Sequence, residues 1–352
     1  MEDQALNALE VVIPNLHWRY SGVTATNRMM APRLARLCRA VWFGADRPEG
    51  IAALTLGGLL RLLGATRKHA CIWHARRNDE MLAGLLLKLL GWRFKLVFTS
   101  AAQRRHSGIT RALIARMDAV IATSEAASSF LLRAATVIPH GVDAQLYCPP
   151  SDRLAAFAAS GLAGKYGIGC FGRVRRQKGT DVFVEAMCRL LPNYPDFTAV
   201  VIGPVTPEQR SFAAALKQQV ERVGLGSRVH FLGELPIEDV PRWYQRISIY
   251  AFTSRVEGFG LTLLEAMAAG TALVAARSGA AETVVVPDET GVLVPPGDAD
   301  ALVAALEPLM RDPARAAAMG KRARERAVAQ FSVDGEAERI AAVYRQVLDG
   351  PR

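Results

Sequence analysis

Short apolar runs rich in β-branched residues alternate with helix-length stretches along the whole chain, and this rhythm narrows the possible folds more than any other feature. The strand-like runs fall at 9–16, 70–74, 94–100, 119–124 and 136–139 in the first half, and at 166–174, 197–203, 228–232, 247–254, 272–276 and 291–294 in the second. Between them lie helical patterns such as 180–191 and 208–223, and the last third reads as three helices over 299–310, 313–330 and 333–348. Strand–helix alternation of this kind builds parallel, doubly wound sheets, whose strands are apolar because helices cover both faces. A chain of 352 residues is too long for one typical core and comfortable for two. The break between them falls where Cys148-Pro149-Pro150-Ser151-Asp152 leads into a small-residue stretch. The expected organisation is an N-terminal domain over 1–147, a linker over 148–165 and a C-terminal domain over 166–352 with a helical tail.

Charge then restricts the partners. The net charge is +10, and it is unevenly placed: residues 1–150 hold 19 Lys/Arg against 10 Asp/Glu, whereas residues 151–352 hold 24 against 23. A basic N-terminal half calls for an anionic partner, whether nucleic acid, a phospholipid surface or an acidic small molecule. The longest apolar runs, 51–60 and 81–87, end at Arg61 and Lys88, far short of the ~20 residues of a spanning helix. The N-terminus is acidic and lacks an apolar signal region, so a cytoplasmic location is expected. The five cysteines, Cys38, Cys71, Cys148, Cys170 and Cys188, are scattered without metal-like spacing and read as small hydrophobes in a reducing compartment.

Two constellations can carry chemistry. Gly172-Arg173-Val174-Arg175-Arg176-Gln177-Lys178-Gly179 follows a strand and precedes a helix. Glycines let backbone approach a phosphate there while Arg and Lys supply charged donors; a solvated basic turn is the alternative. In the second, Glu257-Gly258-Phe259-Gly260-Leu261-Thr262-Leu263-Leu264-Glu265, two glycines precede a helix whose free N–H groups suit an anion. Glu265 is the only charged residue between Leu261 and Ala276. A lone carboxylate in such a segment needs partners, and ligand hydroxyls would serve; a carboxylate at the exposed edge of the helix is the alternative.

These residues resemble the family 4 retaining glycosyltransferases of the GT-B fold. The resemblance rests on the pair Glu257 and Glu265 spaced as E-x7-E, on Gly172-Arg173 and Lys178-Gly179, on Gly22-Val23, on Pro139-His140-Gly141-Val142-Asp143 and on Phe231-Leu232-Gly233. Ser278-Gly279-Ala280-Ala281-Glu282 and the run from Thr290 to Asp298 add to it. It implies two Rossmann-like doubly wound domains facing across a cleft, with an acceptor-side N-terminal domain and a nucleotide-sugar donor held by the C-terminal one. It further implies Arg173, Lys178 and Glu257 as catalytic residues: the two cations on the donor diphosphate, the carboxylate on hydroxyls of the transferred sugar. Backbone amides of Phe259, Gly260 and Leu261 would assist, Glu265 would hold the ribose, and Gly22 would admit the phosphates to the first loop. The leaving phosphate would take the acceptor proton, with neither cofactor nor metal. Two departures stand out: His140 replaces the family's frequent Asn, and the strand ending Phe98-Thr99-Ser100 lacks the family's histidine, for which His106 or His74 could substitute.

A closer resemblance, to the lipopolysaccharide core mannosyltransferases of alphaproteobacteria, rests on residues 73–81 and 97–106. It implies transfer of mannose from GDP-mannose to an anionic lipopolysaccharide inner core, with a UDP-sugar and another glycolipid or small-molecule acceptor left open. The acceptor candidates are His74, Arg76, Arg77, Ser100, Arg104, Arg105 and His106, since the arginines follow strand ends, where open α/β sheets place ligands. The same arginines could merely solvate loops. With no spanning segment, the enzyme is expected on the inner face of the cytoplasmic membrane. Two rival readings fail on local grounds. Gly167-Ile168-Gly169-Cys170-Phe171-Gly172 spells a dinucleotide-binding fingerprint, but its glycines lie inside a strand. The basic residues of 28–39 come with no nucleic-acid motif, so no nucleic acid is expected. Asp298-Ala299-Asp300 reads as a helix cap and not a metal motif.

Overall fold

The computed structural model describes residues 8–17, 22–66 and 69–350. The chain divides into two compact units, one formed by residues up to Gly141 together with those from Val333 onward, the other by Val142–Ser332.

The first unit runs β1 (Val11–Asn15), α1 (Gly22–Leu37), β2 (Ala40–Gly44), β3 (Ala52–Leu54), α2 (Leu56–Thr66), β4 (Cys71–Ala75), α3 (Asn78–Leu89), β5 (Phe94–Ser100), α4 (Gly108–Ile114), β6 (Ala119–Ala122), α5 (Glu125–Ser129) and β7 (Thr136–Val137). Its seven strands form one sheet in the order β3-β2-β1-β4-β5-β6-β7, with parallel pairing throughout. All residues of β1 and β4 are buried, as expected of strands covered on both faces. One face packs Trp73, Phe94 and Leu96 against Leu59 and Leu62 of α2 and Met81 of α3. The other packs Val11, Ile13 and Ile72 against Met30 and Leu34 of α1.

The second unit begins before its sheet with α6 (Arg153–Ala158). There follow β8 (Tyr166–Phe171), α7 (Thr180–Leu190), β9 (Phe197–Ile202), α8 (Arg210–Arg222), β10 (Val229–Gly233), α9 (Val240–Arg246), β11 (Ile247–Phe252), α10 (Leu261–Ala268), β12 (Ala272–Ala276), α11 (Ala281–Val284), β13 (Val292–Val294), α12 (Ala299–Arg311) and α13 (Pro313–Gln330). Its six strands are parallel in the order β10-β9-β8-β11-β12-β13. Asp298 caps α12 as expected, its Oδ1 accepting from the Ala301 N–H at 2.9 Å. Gly167 and Gly169 of the fingerprint-like run lie within β8, and Gly172 follows its end.

Three features differ from the sequence reading. Strands β2 and β3 were not expected; β3 has only three residues, two of them exposed, near the start of the apolar run 51–60, whose second half lies in α2. The stretch 148–165 is not a free linker. Phe157 of α6 is fully buried, and Arg153 donates to the carbonyls of Tyr244, Gln245, Ala269 and Gly270, which ties the segment to the second unit. Finally, α14 (Val333–Asp349) belongs to the first unit. Its Ala337, Ile340 and Tyr344 join the core with Val11 and Ile13. Glu336 accepts from His140 Nδ1 at 2.8 Å and from the Gly141 N–H at 2.7 Å. A helix seen only as a periodic pattern carries no information about which sheet it covers. The acidic N-terminus at residues 1–7 lies outside the described residues.

Candidate functional site

In the second sheet the strand order reverses between β8 and β11, and open α/β folds bind ligands beyond the carboxyl ends of strands at such a point. Both constellations fall there: residues 172–179 follow β8, and residues 253–260 follow β11. Side chains and backbone stitch the two loops together. Thr253 Oγ1 donates to the Lys178 carbonyl at 3.0 Å and the Arg255 N–H to the Gln177 carbonyl at 2.8 Å, while the Arg255 guanidinium grips Asp181 at 2.7 and 3.0 Å. Gly179 has φ +68°, and a Cβ there would sit 1.9 Å from the Thr253 carbonyl oxygen, so only glycine allows this approach.

Within this frame Lys178 forms an ion pair with Glu257 across the two loops, both side chains about four-fifths buried. Glu257 also accepts from the Gly258 N–H at 3.2 Å and lies 3.4 Å from Ser254 Oγ. An ammonium has three donors, so Lys178 can keep Glu257 and still take a phosphate oxygen. Arg173 is exposed, and its side chain has no partner among the described residues. Gly260 caps α10 with φ +96°, and a Cβ would meet Phe252 at 2.9 Å. The Leu261 and Thr262 amides start at the mouth of this crevice as first-turn donors, while the Leu263 N–H donates to the Gly260 carbonyl at 2.9 Å. Phe259 is buried in the core, its carbonyl accepting from Ala280 N–H at 2.7 Å.

Glu265 lies one turn along α10. Its carboxylate accepts from the Tyr244 hydroxyl at 2.7 Å. Burial raises its pKa above the ordinary carboxylate value, opposed by hydrogen bonds from Tyr244 and Tyr147. The sequence reading found Glu265 but missed both tyrosines. Only their aromatic character was visible, since they lie far from Glu265 in the chain.

The first unit treats its candidates unevenly. His74 is buried, with Nδ1 2.5 Å from the Tyr344 hydroxyl and Nε2 2.7 Å from Thr99 Oγ1. Burial first, and the charge of Arg76 second, push its pKa well below the ordinary value. Arg77 donates to Asn15 Oδ1 at 2.9 Å, to Thr24 Oγ1 at 2.7 Å and to Glu80 Oε1 at 3.2 Å. Arg76 is buried, reaches Thr26 Oγ1 at 3.4 Å and leaves its Nε without a partner. Of the expected acceptor set, His74 and Arg77 are thus engaged by protein groups. Ser100 and His106 are brought together, Oγ to Nε2 3.4 Å, and burial followed by the Arg104 charge lowers the His106 pKa. Arg104 and Arg105 are exposed. Gly22 opens α1, and a Cβ there would meet nothing within 4 Å, so the described backbone sets no requirement for glycine. His140, the departure at the domain junction, is occupied by Glu336.

The chain is similar to known proteins. The family described as glycosyl transferases group 1 matches residues 152–326. The lipopolysaccharide core biosynthesis mannosyltransferase LpcC of Rhizobium leguminosarum bv. viciae is 47% identical over 347 residues, 98% of each chain. LpsB of Rhizobium meliloti strain 1021, of the same description, is 41% identical over 97% of this chain and 98% of its own. A GDP-mannose-dependent phosphatidylinositol monomannoside mannosyltransferase of Mycolicibacterium smegmatis is 29% identical over 92% of this chain and 81% of its own. Among solved structures, Anabaena HepE in complex with UDP and glucose superposes with a TM-score of 0.80 over 96% of this chain and 100% of its own, at 23% identity, a likeness of fold. With two parallel-sheet Rossmann-like units of the GT-B kind and near full-length relatives of this identity, the chain belongs to the group 1 glycosyltransferases.

Proposed function

We propose that this glycosyltransferase moves mannose from GDP-mannose, with retention of configuration, to an anionic lipopolysaccharide inner core at the cytoplasmic face of the membrane. The observation that carries the donor half is the crevice beyond β8 and β11: Arg173, exposed and without a side-chain partner among the described residues, Lys178, paired with Glu257, and the start of α10 all lie on the loops that follow these two strands. The mannose and core assignments draw support from the two rhizobial relatives, and the GDP assignment from the mycobacterial one.

In this reading Arg173 and Lys178 take the diphosphate, Glu257 the sugar hydroxyls and Glu265 the ribose hydroxyls. As the bond from the anomeric carbon to the β-phosphate oxygen breaks, charge grows on that phosphate, where two cations and the helix N-terminus stabilise it. The acceptor hydroxyl attacks on the face the phosphate leaves, and its proton passes to a phosphate oxygen. No divalent ion is required for the charge balance, so activity should survive EDTA. Arg104 and Arg105 remain the exposed forks for carboxylates and phosphates of the core.

The test is transfer to a delipidated inner-core oligosaccharide, with GDP-mannose and UDP-sugars supplied in parallel and the product's anomeric configuration read by NMR. An α-mannosyl product from GDP-mannose alone, unaffected by EDTA, is expected. Transfer from a UDP-sugar, or a β-linked product, would overturn the donor or the stereochemical assignment respectively.

A further inference from the structure

Helices α2 and α3 present leucines to solvent where a water-facing helix places charges. On α3 and its C-cap, Leu82, Leu86, Leu89 and the capping Leu90 are 50%, 50%, 83% and 69% exposed. Their spacing of four, then three, then one places them on a single face. On α2, Leu56 and Leu60 are 67% and 59% exposed, again one turn apart. These are not residues needed inside. The sheet-facing sides of the helices are already filled by Leu59, Leu62 and Ala65 and by Met81 and Gly84, and a Cβ at Gly84 would lie 2.6 Å from the Trp73 ring. The two helices are neighbours on one face of the sheet: Trp92, just past α3, donates from Nε1 to the Leu59 carbonyl of α2 at 2.9 Å, and both join the same core. Their exposed leucines thus face outward from adjoining helices, and their number exceeds the isolated exposed leucines normal for a soluble chain.

The sequence around these helices is predominantly basic, and Lys88 itself pairs with Asp118 at 3.2 Å. Arg61 is the only charged residue of 51–66, and Lys88 the only one of 81–91. Residues 50–117 contain twelve Lys/Arg and two Asp/Glu, a surplus equal to the +10 of the entire chain. One of the two acids, Glu80, is fully buried. Self-association through this surface would bring like charges together, whereas an anionic bilayer offers both acyl chains for the leucines and headgroup charge for the rim. Among the described residues no helix is long and apolar enough to cross a membrane, so the fitting contact is interfacial. Leu82 lies five residues past Arg77, roughly 8 Å along the α3 axis.

We infer that the leucine face of α2 and α3 docks this enzyme onto an anionic phospholipid surface. The inference rests on the reading of the acceptor as lipid-borne, yet the two can fail separately. The experiment is sedimentation with acceptor-free vesicles of phosphatidylethanolamine containing phosphatidylglycerol, against vesicles of phosphatidylcholine alone. Wild type should pellet with the anionic vesicles and be released by high salt. Leu86→Gln/Leu89→Gln should lower the partition coefficient about tenfold or more, and Arg61→Glu, a change of two charges, roughly thirtyfold, both with unchanged Tm and unchanged affinity for GDP. Unchanged partitioning of the leucine variant would overturn the inference. So would a wild-type dimer, ignoring vesicles, that the same variant makes monomeric. Enzyme that binds these vesicles but transfers no mannose would overturn the functional reading alone; enzyme that mannosylates the core but never pellets would overturn the docking surface alone.

Discussion

Where the strand order reverses in the first sheet, between β1 and β4, the guanidinium of Arg77 is consumed by Asn15, Thr24 and Glu80. At the equivalent reversal in the second sheet, between β8 and β11, Arg173 is exposed and has no side-chain partner among the described residues. Two sheets of the same topology thus put arginines at the same kind of place and use them differently. The first employs its cation to close the crevice and steady the start of α3; the second leaves a cation for a ligand. A strand-end arginine is therefore informative only once its partners are known, and local sequence does not supply them.

The sharpest way to break this contrast is to remove the scaffold arginine. Arg77→Ala leaves Glu80 buried beside backbone donors but without its counter-charge, a loss of about 3–5 kcal/mol when one partner of a buried pair is deleted. Thermal or urea unfolding should show it, with kcat of the surviving folded enzyme near wild type. A stable variant with collapsed kcat would place Arg77 in catalysis. Next in size is Glu265→Gln in the second unit. Loss of a charged hydrogen-bond partner typically costs ~1.5–3 kcal/mol, so calorimetry should record a ten- to hundredfold weaker Kd for GDP with the fold intact; normal GDP binding would remove Glu265 from the ribose site.

The smallest effect is a pH dependence confined to the first unit. His74 has a folded pKa far below its ordinary 6.5, so as pH falls through 6.5 the unfolded chain takes up a proton that the folded chain refuses. Stability contributed by the neutral ring is present above that pH and lost below it, with a slope of about 1.4 kcal/mol per pH unit. Compared with wild type, His74→Gln should flatten the fall in unfolding free energy between neutral and mildly acidic pH. Identical slopes would mean that His74 is not held neutral.

Much of this was legible in advance because parallel strands and helix starts leave local signatures. The β8 and β11 loops announced themselves through glycines flanking charge, and the roles of Gly179 and Gly260 follow from backbone angles that only glycine readily adopts. What stayed hidden was long-range pairing. Tyr244 and Tyr147 meet Glu265, Glu336 meets His140, and Tyr344 meets His74 only after the chain has folded. The same holds for α14, whose periodic pattern fits either sheet. The leucines of α2 and α3 fall in or beside the two apolar runs that the sequence marks only as too short to span a membrane, and their exposure emerges from the fold.

The most direct test of the contrast is Arg173→Ala, with kcat and the Kd for GDP-mannose measured on the same preparation. If the cation stabilises charge that develops on the departing diphosphate, kcat should fall roughly 10²–10³-fold with a much smaller change in the Kd for the intact donor and an unchanged Tm. A normal kcat with weakened donor binding, or an intact enzyme in both respects, would contradict the account.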